Sequence, residues 1–191
     1  MPVKSKKITI VQKNDPVLRE VSSPIALAKI KSPEIKSIIA DMKKAMEPQT
    51  DAVAIAAVQI GKPIRLFVIS KRAFSISSGD VETPKGLVEK PAKGDMVFIN
   101  SRITKTSKAK EYLEEGCLSV RYVYGKVNRS EKATIEAYDE NGKKFTRGFS
   151  GLLAQIVQHE TDHLDGTIFI DKAKNLQEIS HEEYEKSLQN L

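Results

Sequence analysis

The 191-residue chain has one cysteine, three histidines and no apolar run of membrane-spanning length, and each shortage excludes something. With Cys117 alone no internal disulfide can form, so a packed core has to hold the fold; 191 residues are enough to supply one, in a single domain over residues 1–191. A lone cysteine is then either a small buried hydrophobe or a reactive or metal-binding thiol. The opening stretch MPVKSKKITIVQ is basic but has no signal-peptide apolar segment or cleavage site, and with no membrane span the expected compartment is the cytoplasm. Neither sign of charge dominates. The net +6 comes from 31 basic and 25 acidic residues, and the lysines lie in scattered pairs such as Lys6-Lys7, Lys43-Lys44 and Lys143-Lys144. That pattern is a solvated surface and not the continuous basic stripe of a nucleic-acid-binding protein, so no specific nucleic-acid site is expected.

Ser32-Pro33 followed by Ile35, Ile38, Ile39, Met42 and Met46 predicts a capped, core-facing helix. The stretches RLFVIS (65–70) and DMVFIN (95–100) read as short strands, and the Gly-, Pro- and Lys-rich SSGDVETPKGLVEKPAKG between them as a surface excursion. ATIEAY and KKFTRGF flank Asn141-Gly142, a hairpin signal. A second helix is expected from about Ser150 to Asp165, stopped by Gly166. The class these predict is α+β, with antiparallel or mixed β-sheets around one central helix.

That central helix contains QIVQHETDHLDG. Leu152, Ile156, His159 and His163 fall on one of its faces, so the two imidazoles stand one turn apart with Glu160 directly after the first. His-Glu-x-x-His on a helix binds a divalent metal through its histidines and sets the glutamate close enough to act on water there. The bland alternative is a pair of core or surface histidines that happen to be four apart. A third donor is needed in either metal reading. Phe169 stands where a metzincin-type site would carry its histidine. A thermolysin-like site would take Glu182 or Glu183, although the helical spacing of Ile179, Tyr184, Leu188 and Leu191 makes those glutamates equally the wet face of a terminal helix. The remaining soft donor is Cys117 in EEGCLSV, where Gly116 permits close backbone approach; a thiolate with two imidazoles leaves a fourth position open, the layout of a catalytic centre.

EGCLS and QHETDHLDG together, with AVAIAAVQIG at 52–61 and NDPVLREVSSPI near the start, resemble the peptide deformylases, and the resemblance spans almost the whole chain. It implies a metallohydrolase that removes the formyl group from the N-terminal methionine of new polypeptides. Carried over residue by residue, Cys117, His159 and His163 are the metal ligands, Glu160 is the general acid/base, and Gln59 with the backbone N–H of Leu118 binds the formyl oxygen. Val53, Ala54, Gly116 and Gln155 are the implied substrate contacts. The implied metal is Fe(2+), with Zn(2+), Ni(2+) or Co(2+) able to occupy the same ligands. The implied partners are formylated nascent peptides met in transient proximity to ribosomes, by a monomer with no membrane attachment.

Four positions depart from the family pattern. Ala52 and Ala54 replace two glycines of the first motif: alanine fits if the backbone there is extended, and costs about 1 to 2 kcal/mol where φ must be positive. Arg121 replaces a proline after EGCLSV, at the expected rim of the cleft. Gln155 replaces an apolar residue one turn before His159; its amide either contacts the first side chain of the substrate or caps a nearby backbone group. Two other functions stay open on the sequence: a degenerate relative that binds metal or formylated peptide with little turnover, and a thermolysin-like protease.

Overall fold

The run Leu66-Phe67-Val68-Ile69 is apolar at every position because both of its faces are covered. It forms strand β2 (Leu66–Ile69) in an antiparallel sheet with β1 (Ala54–Ala56), β3 (Met96–Thr106), β6 (Lys132–Tyr138) and β7 (Lys144–Ser150), ordered β1-β2-β3-β6-β7. Successive side chains alternate between faces. Phe67, Ile69, Ala54, Ala56 and Phe98 enter one core, and Leu66, Val68, Ile55, Val97 and Ile99 the other. The computed structural model describes residues 8–76 and 94–188, so the expected surface excursion at 77–94 lies outside the described residues except for Gly94.

Each core is closed by a helix. Helix α1 (Pro33–Met46) starts where Ser32 Oγ accepts the Ile35 N–H at 3.3 Å, and it buries Ile35, Ile38, Ile39, Met42 and Met46, the stripe read from the sequence. A short helix, α2 (Lys71–Ile76), follows β2 and was not anticipated. Helix α3 (Gly151–Leu164) closes the core that contains Phe67 and Phe98 and packs against β1, β6 and β7. In the β6–β7 hairpin Gly142 takes φ +77°, while Asp139 Oδ1 accepts the N–H groups of Asn141 and Lys143 at 2.9 and 2.8 Å, giving a longer capped loop in place of a two-residue turn.

A second sheet escaped the sequence reading. Strands β4 (Lys110–Cys117), β5 (Val120–Ser130) and β8 (Lys174–Glu178) pair antiparallel in the order β4-β5-β8, with α3 also packed on β5. The chain ends its described part in α4 (His181–Leu188), the terminal helix expected there. The α+β class with a central helix is therefore the observed one, and every pairing among the named strands is antiparallel. Among the described residues no helix is long and apolar enough to cross a membrane.

Gly166 ends α3 with φ +73°, and a Cβ there would lie 2.6 Å from the Arg19 carbonyl oxygen. Left-handed strain and backbone overlap add, so Gly166→Ala should lower the unfolding free energy by at least about 2 kcal/mol in urea titration. A loss below about 0.5 kcal/mol, the range of an ordinary surface change, would show that the turn relaxes freely.

Candidate metal centre and cleft

Helix α3 presents His159 and His163 with ring centroids 5.0 Å apart. From the other sheet, β4 delivers Cys117 at its last position, immediately before the Leu118-Ser119 turn into β5. Cys117 Sγ lies 3.3 Å from His163 Nε2, and the ligand atoms of Cys117, His159 and His163 all fall within 4.8 Å of one another. Tetrahedral ligation with bonds of about 2.0 to 2.3 Å spaces donors by roughly 3.3 to 3.8 Å, so this set closes on a divalent ion with small adjustments. Among the described residues it is the group with that capacity. Glu182 bonds Lys186 at 2.8 Å and Glu183 accepts the Ser180 N–H at 2.7 Å, both on the exposed side of α4, so the thermolysin-like reading loses its third ligand.

A buried carboxylate orients the first histidine. Glu115 Oε2 accepts from His159 Nδ1 at 2.9 Å, which leaves Nε2 as that ring's ligand atom. Arg129 on β5 grips Glu115 with two bonds, Nε to Oε1 at 2.7 Å and a terminal nitrogen to Oε2 at 2.9 Å, and reaches Asp162 on α3 at 2.7 Å. The side chains of Arg129 and Glu115 are 4% and 3% exposed. Burial works against a charged Glu115, yet the hydrogen bonds and charges of Arg129 and His159 hold its carboxyl at about 2. The stabilisation this lowered value brings is complete above the ordinary 4.5 and is lost only as pH falls towards 2. Sequence reasoning missed Glu115, Arg129 and Asp162. The adjacent glutamate pair of EEGCLS was the only available signal, and it does not say which glutamate turns inward.

The same charges act on the two histidines in opposite directions. Burial opposes a charge on His159, but hydrogen bonds to Cys117 and Glu115, and the charges of Cys117 and Glu160, push it well above its ordinary value. His163 is pushed well below, by burial and then by the charge on His159. A divalent ion held here would engage Cys117 and His163 together with His159. Glu160 is 4% exposed, and burial, reinforced by the charge on Glu115, pushes it up to about 7 although His159 opposes this. Its Oε2 is buried without a hydrogen-bond partner.

Gln59 enters from the turn Ala57–Ile60 that follows β1. Its Oε1 accepts the Ala56 N–H at 2.8 Å, so Nε2 faces the centre, 3.4 Å from Cys117 Sγ and 3.2 Å from Ser119 Oγ. The Leu118 carbonyl accepts from Gln12 at 3.1 Å, which fixes the turn beside Cys117. A cleft of about 560 Å³ opens over these groups, and Val53, Ala54, Gly116, Leu118 and Gln155 all line it. At Gly116 a Cβ would meet the Tyr124 ring at 2.8 Å, so that aromatic wall depends on glycine.

A His-Glu-x-x-His helix meeting an EGCLS strand end in one cleft can be compared with known proteins. A sequence model of the polypeptide deformylase family matches residues 7–178. The chain belongs to that family. It is 38% identical over 171 residues to a peptide deformylase of Psychrobacter cryohalolentis, covering 90% of this chain and 82% of the relative. It is 36% identical over 184 residues to that of Flavobacterium psychrophilum, covering 96% and 90%. A crystal structure of a peptide deformylase from Synechococcus elongatus in complex with actinonin superposes with a TM-score of 0.71 at 30% identity, covering 98% of this chain and 87% of that one. The fold is accordingly that of the deformylases.

The departures from the family motif can now be placed. Neither Ala52 nor Ala54 has positive φ, and both are buried, so the strain considered for them does not arise. Gln155 Nε2 donates to the Glu114 carbonyl at 2.8 Å and, at 3.5 Å, to Glu115 Oε1, which is the capping alternative. Arg121 does sit at the cleft rim.

If Glu115 orients His159, Glu115→Gln should weaken zinc binding by about 10- to 100-fold in a chelator competition, the usual range for such outer partners. Affinity within twofold of wild type would show that the histidine holds its orientation without the carboxylate.

Proposed function

We propose that the chain is an active deformylase, hydrolysing the N-formyl group from the terminal methionine of nascent polypeptides and releasing formate. The observation that carries this is the convergence of Cys117, His159 and His163 beside a buried carboxylate, Glu160, whose pKa is raised to about 7. A divalent ion on those three donors supplies Lewis acidity and brings the pKa of water towards neutrality. Glu160, balanced near neutral pH, takes a proton from the attacking water and returns it to the leaving amine. Gln59 Nε2 and the Leu118 N–H bind the oxygen that turns negative, donors of a kind each worth roughly 3 kcal/mol of barrier.

The thiolate and two imidazoles suit borderline-soft divalent metals, and ferrous iron is the proposed occupant in the cell, with zinc, nickel or cobalt able to replace it. Among the described residues β1 pairs only with β2, so its second edge is open for an extended peptide to add as a strand past Ala54 and Val53. Gly116 and Gln155 complete the wall against which the first side chain lies. The chain works as one catalytic domain and as a cytoplasmic monomer that meets nascent chains near the ribosome. Helix α4, with Glu182, Glu183 and Glu185 against Lys186, is too acidic to anchor it there.

Two variants test the assignment. Cys117→Ser should lose bound metal. Glu160→Gln should retain metal while kcat on a formyl-Met peptide falls by about 10² to 10⁴, since only the proton transfer is removed. Near-wild-type turnover in Glu160→Gln would remove that residue from the mechanism. Wild-type protein that is fully loaded with iron and inert on formyl peptides would favour the degenerate-relative reading instead.

A further inference from the structure

The cleft has a reacting end at Cys117 and Glu160, and an opposite end where an ion-pair cluster ties three segments together. Arg121, at the start of β5, donates to Asp51 Oδ2 at 3.3 Å, to Tyr184 Oη at 2.9 Å and to Gln49 Oε1. Tyr184 in turn donates to the same Asp51 oxygen at 2.8 Å, and the Arg121 guanidinium lies over its ring at 5.7 Å. Tyr184 is the buried residue of α4 among those whose burial is described, and Asp51 immediately precedes the cleft-lining Ala52 and Val53. The cluster therefore joins the segment leading into β1, which belongs to one sheet, to β5, which belongs to the other, and pins α4 against both.

Its neighbours are held as tightly. Tyr122 has φ +65°, an uncommon value for a bulky residue that survives only where the surroundings impose it. Its ring packs edge-on against Tyr184 at 5.3 Å, and its carbonyl accepts the Ile179 N–H at 2.9 Å. Burial and the Asp51 carboxylate push the Tyr184 phenol up to about 12, so it remains a donor throughout the working range.

On the deformylase reading, the formyl group lies by Gln59, which follows β1 in the chain. The rest of the peptide must then run back along the open edge of β1, past Ala54 and Val53 towards Asp51. At about 3.3 Å per residue, those few positions bring the third residue of the peptide to the cluster. We propose that Arg121, Asp51 and Tyr184 form a clasp that fixes the far wall of the cleft, making Arg121 a positioning residue for the part of the peptide beyond its second residue. The clasp holds the wall in its binding position before the peptide arrives; without it, binding has to order the wall as well, which weakens affinity and leaves the reacting centre untouched.

The test compares wild type, Arg121→Met, Tyr184→Phe and the double variant, all metal-loaded, on formyl-Met-Ala-Ser amide and on formyl-Met amide. Each single variant should raise KM for the tripeptide about fivefold with kcat within twofold, leave KM for formyl-Met amide within twofold, and combine without a further increase, because both break one unit. An unchanged tripeptide KM in both variants overturns the clasp. So does an equal rise on formyl-Met amide, which means general damage to the fold, or a fall in kcat alone, which means an effect on the reacting groups. The same fivefold loss should appear in the Kd of the tripeptide amide on metal-loaded Glu160→Gln protein. That measurement judges the clasp without turnover, and so separates its failure from failure of the deformylase reading.

Discussion

The site depends on one buried ion pair. Glu115 and Arg129 sit on adjacent strands of the smaller sheet, and each extends a bond to α3, Glu115 to His159 and Arg129 to Asp162. The pair therefore fixes where the ligand-bearing helix stands relative to the strand that ends in Cys117. A buried pair of this kind adds little net stability over an apolar pair of the same shape, but removing one partner leaves an uncompensated charge at a cost of about 3 to 5 kcal/mol. What it contributes here is registration: a shift of α3 by a fraction of a turn would move both histidines away from the sulfur and break the pair's bonds to His159 and Asp162 at the same moment. Lys172 extends the chain of charges by a bond to Asp162, so the outer end is held from the surface as well.

The larger sheet supplies the stiffness behind this. Phe67 and Phe98 stack at 4.5 Å, with Phe145 and Phe149 packed on Phe98 at 5.4 and 6.1 Å, all on the side facing α3. These rings lie beneath the helix whose opposite face turns His159 and His163 towards Glu115 and Cys117 on β4. The central strands can be apolar throughout because α1 covers the other side, and that continuous run is what made β2 and the first half of β3 readable from the sequence.

Legibility followed how a segment is buried. Both long helices and the β6–β7 hairpin announced themselves through period and turn chemistry, and the cluster of Cys117, His159 and His163 beside Glu160 through spacing and chemical type. The smaller sheet did not: KEYLEEGC buries Glu115 and leaves Tyr112 and Glu114 exposed, so its alternation is one of charge and hydrogen bonding, invisible to a hydrophobic pattern. Its partner Arg129 looked like any surface cation for the same reason. Long-range polar pairing leaves no local periodicity, and here it supplies the bond that orients His159. The strain question raised by Ala52 and Ala54 had no answer in sequence because it concerned backbone dihedrals, and neither residue has positive φ.

The arrangement separates what must stay fixed from what can vary. His159, Glu160 and His163 stand on α3 and Cys117 at the end of β4; His159 is further restrained by Glu115, and Cys117 lies within bonding distance of Gln59 and His163. Two of the residues where this chain departs from the family motif, Arg121 and Gln155, are cleft-lining; Arg121 bonds away from the reacting centre, to Asp51 and Tyr184, and Gln155 makes its shorter bond to a β4 carbonyl. A substitution at such a position can alter how the walls meet a peptide without altering the distance between sulfur and imidazole. That separation follows from geometry, since the ligand atoms must agree to within tenths of an ångström, whereas a wall several residues downstream needs only to present a surface of the right width.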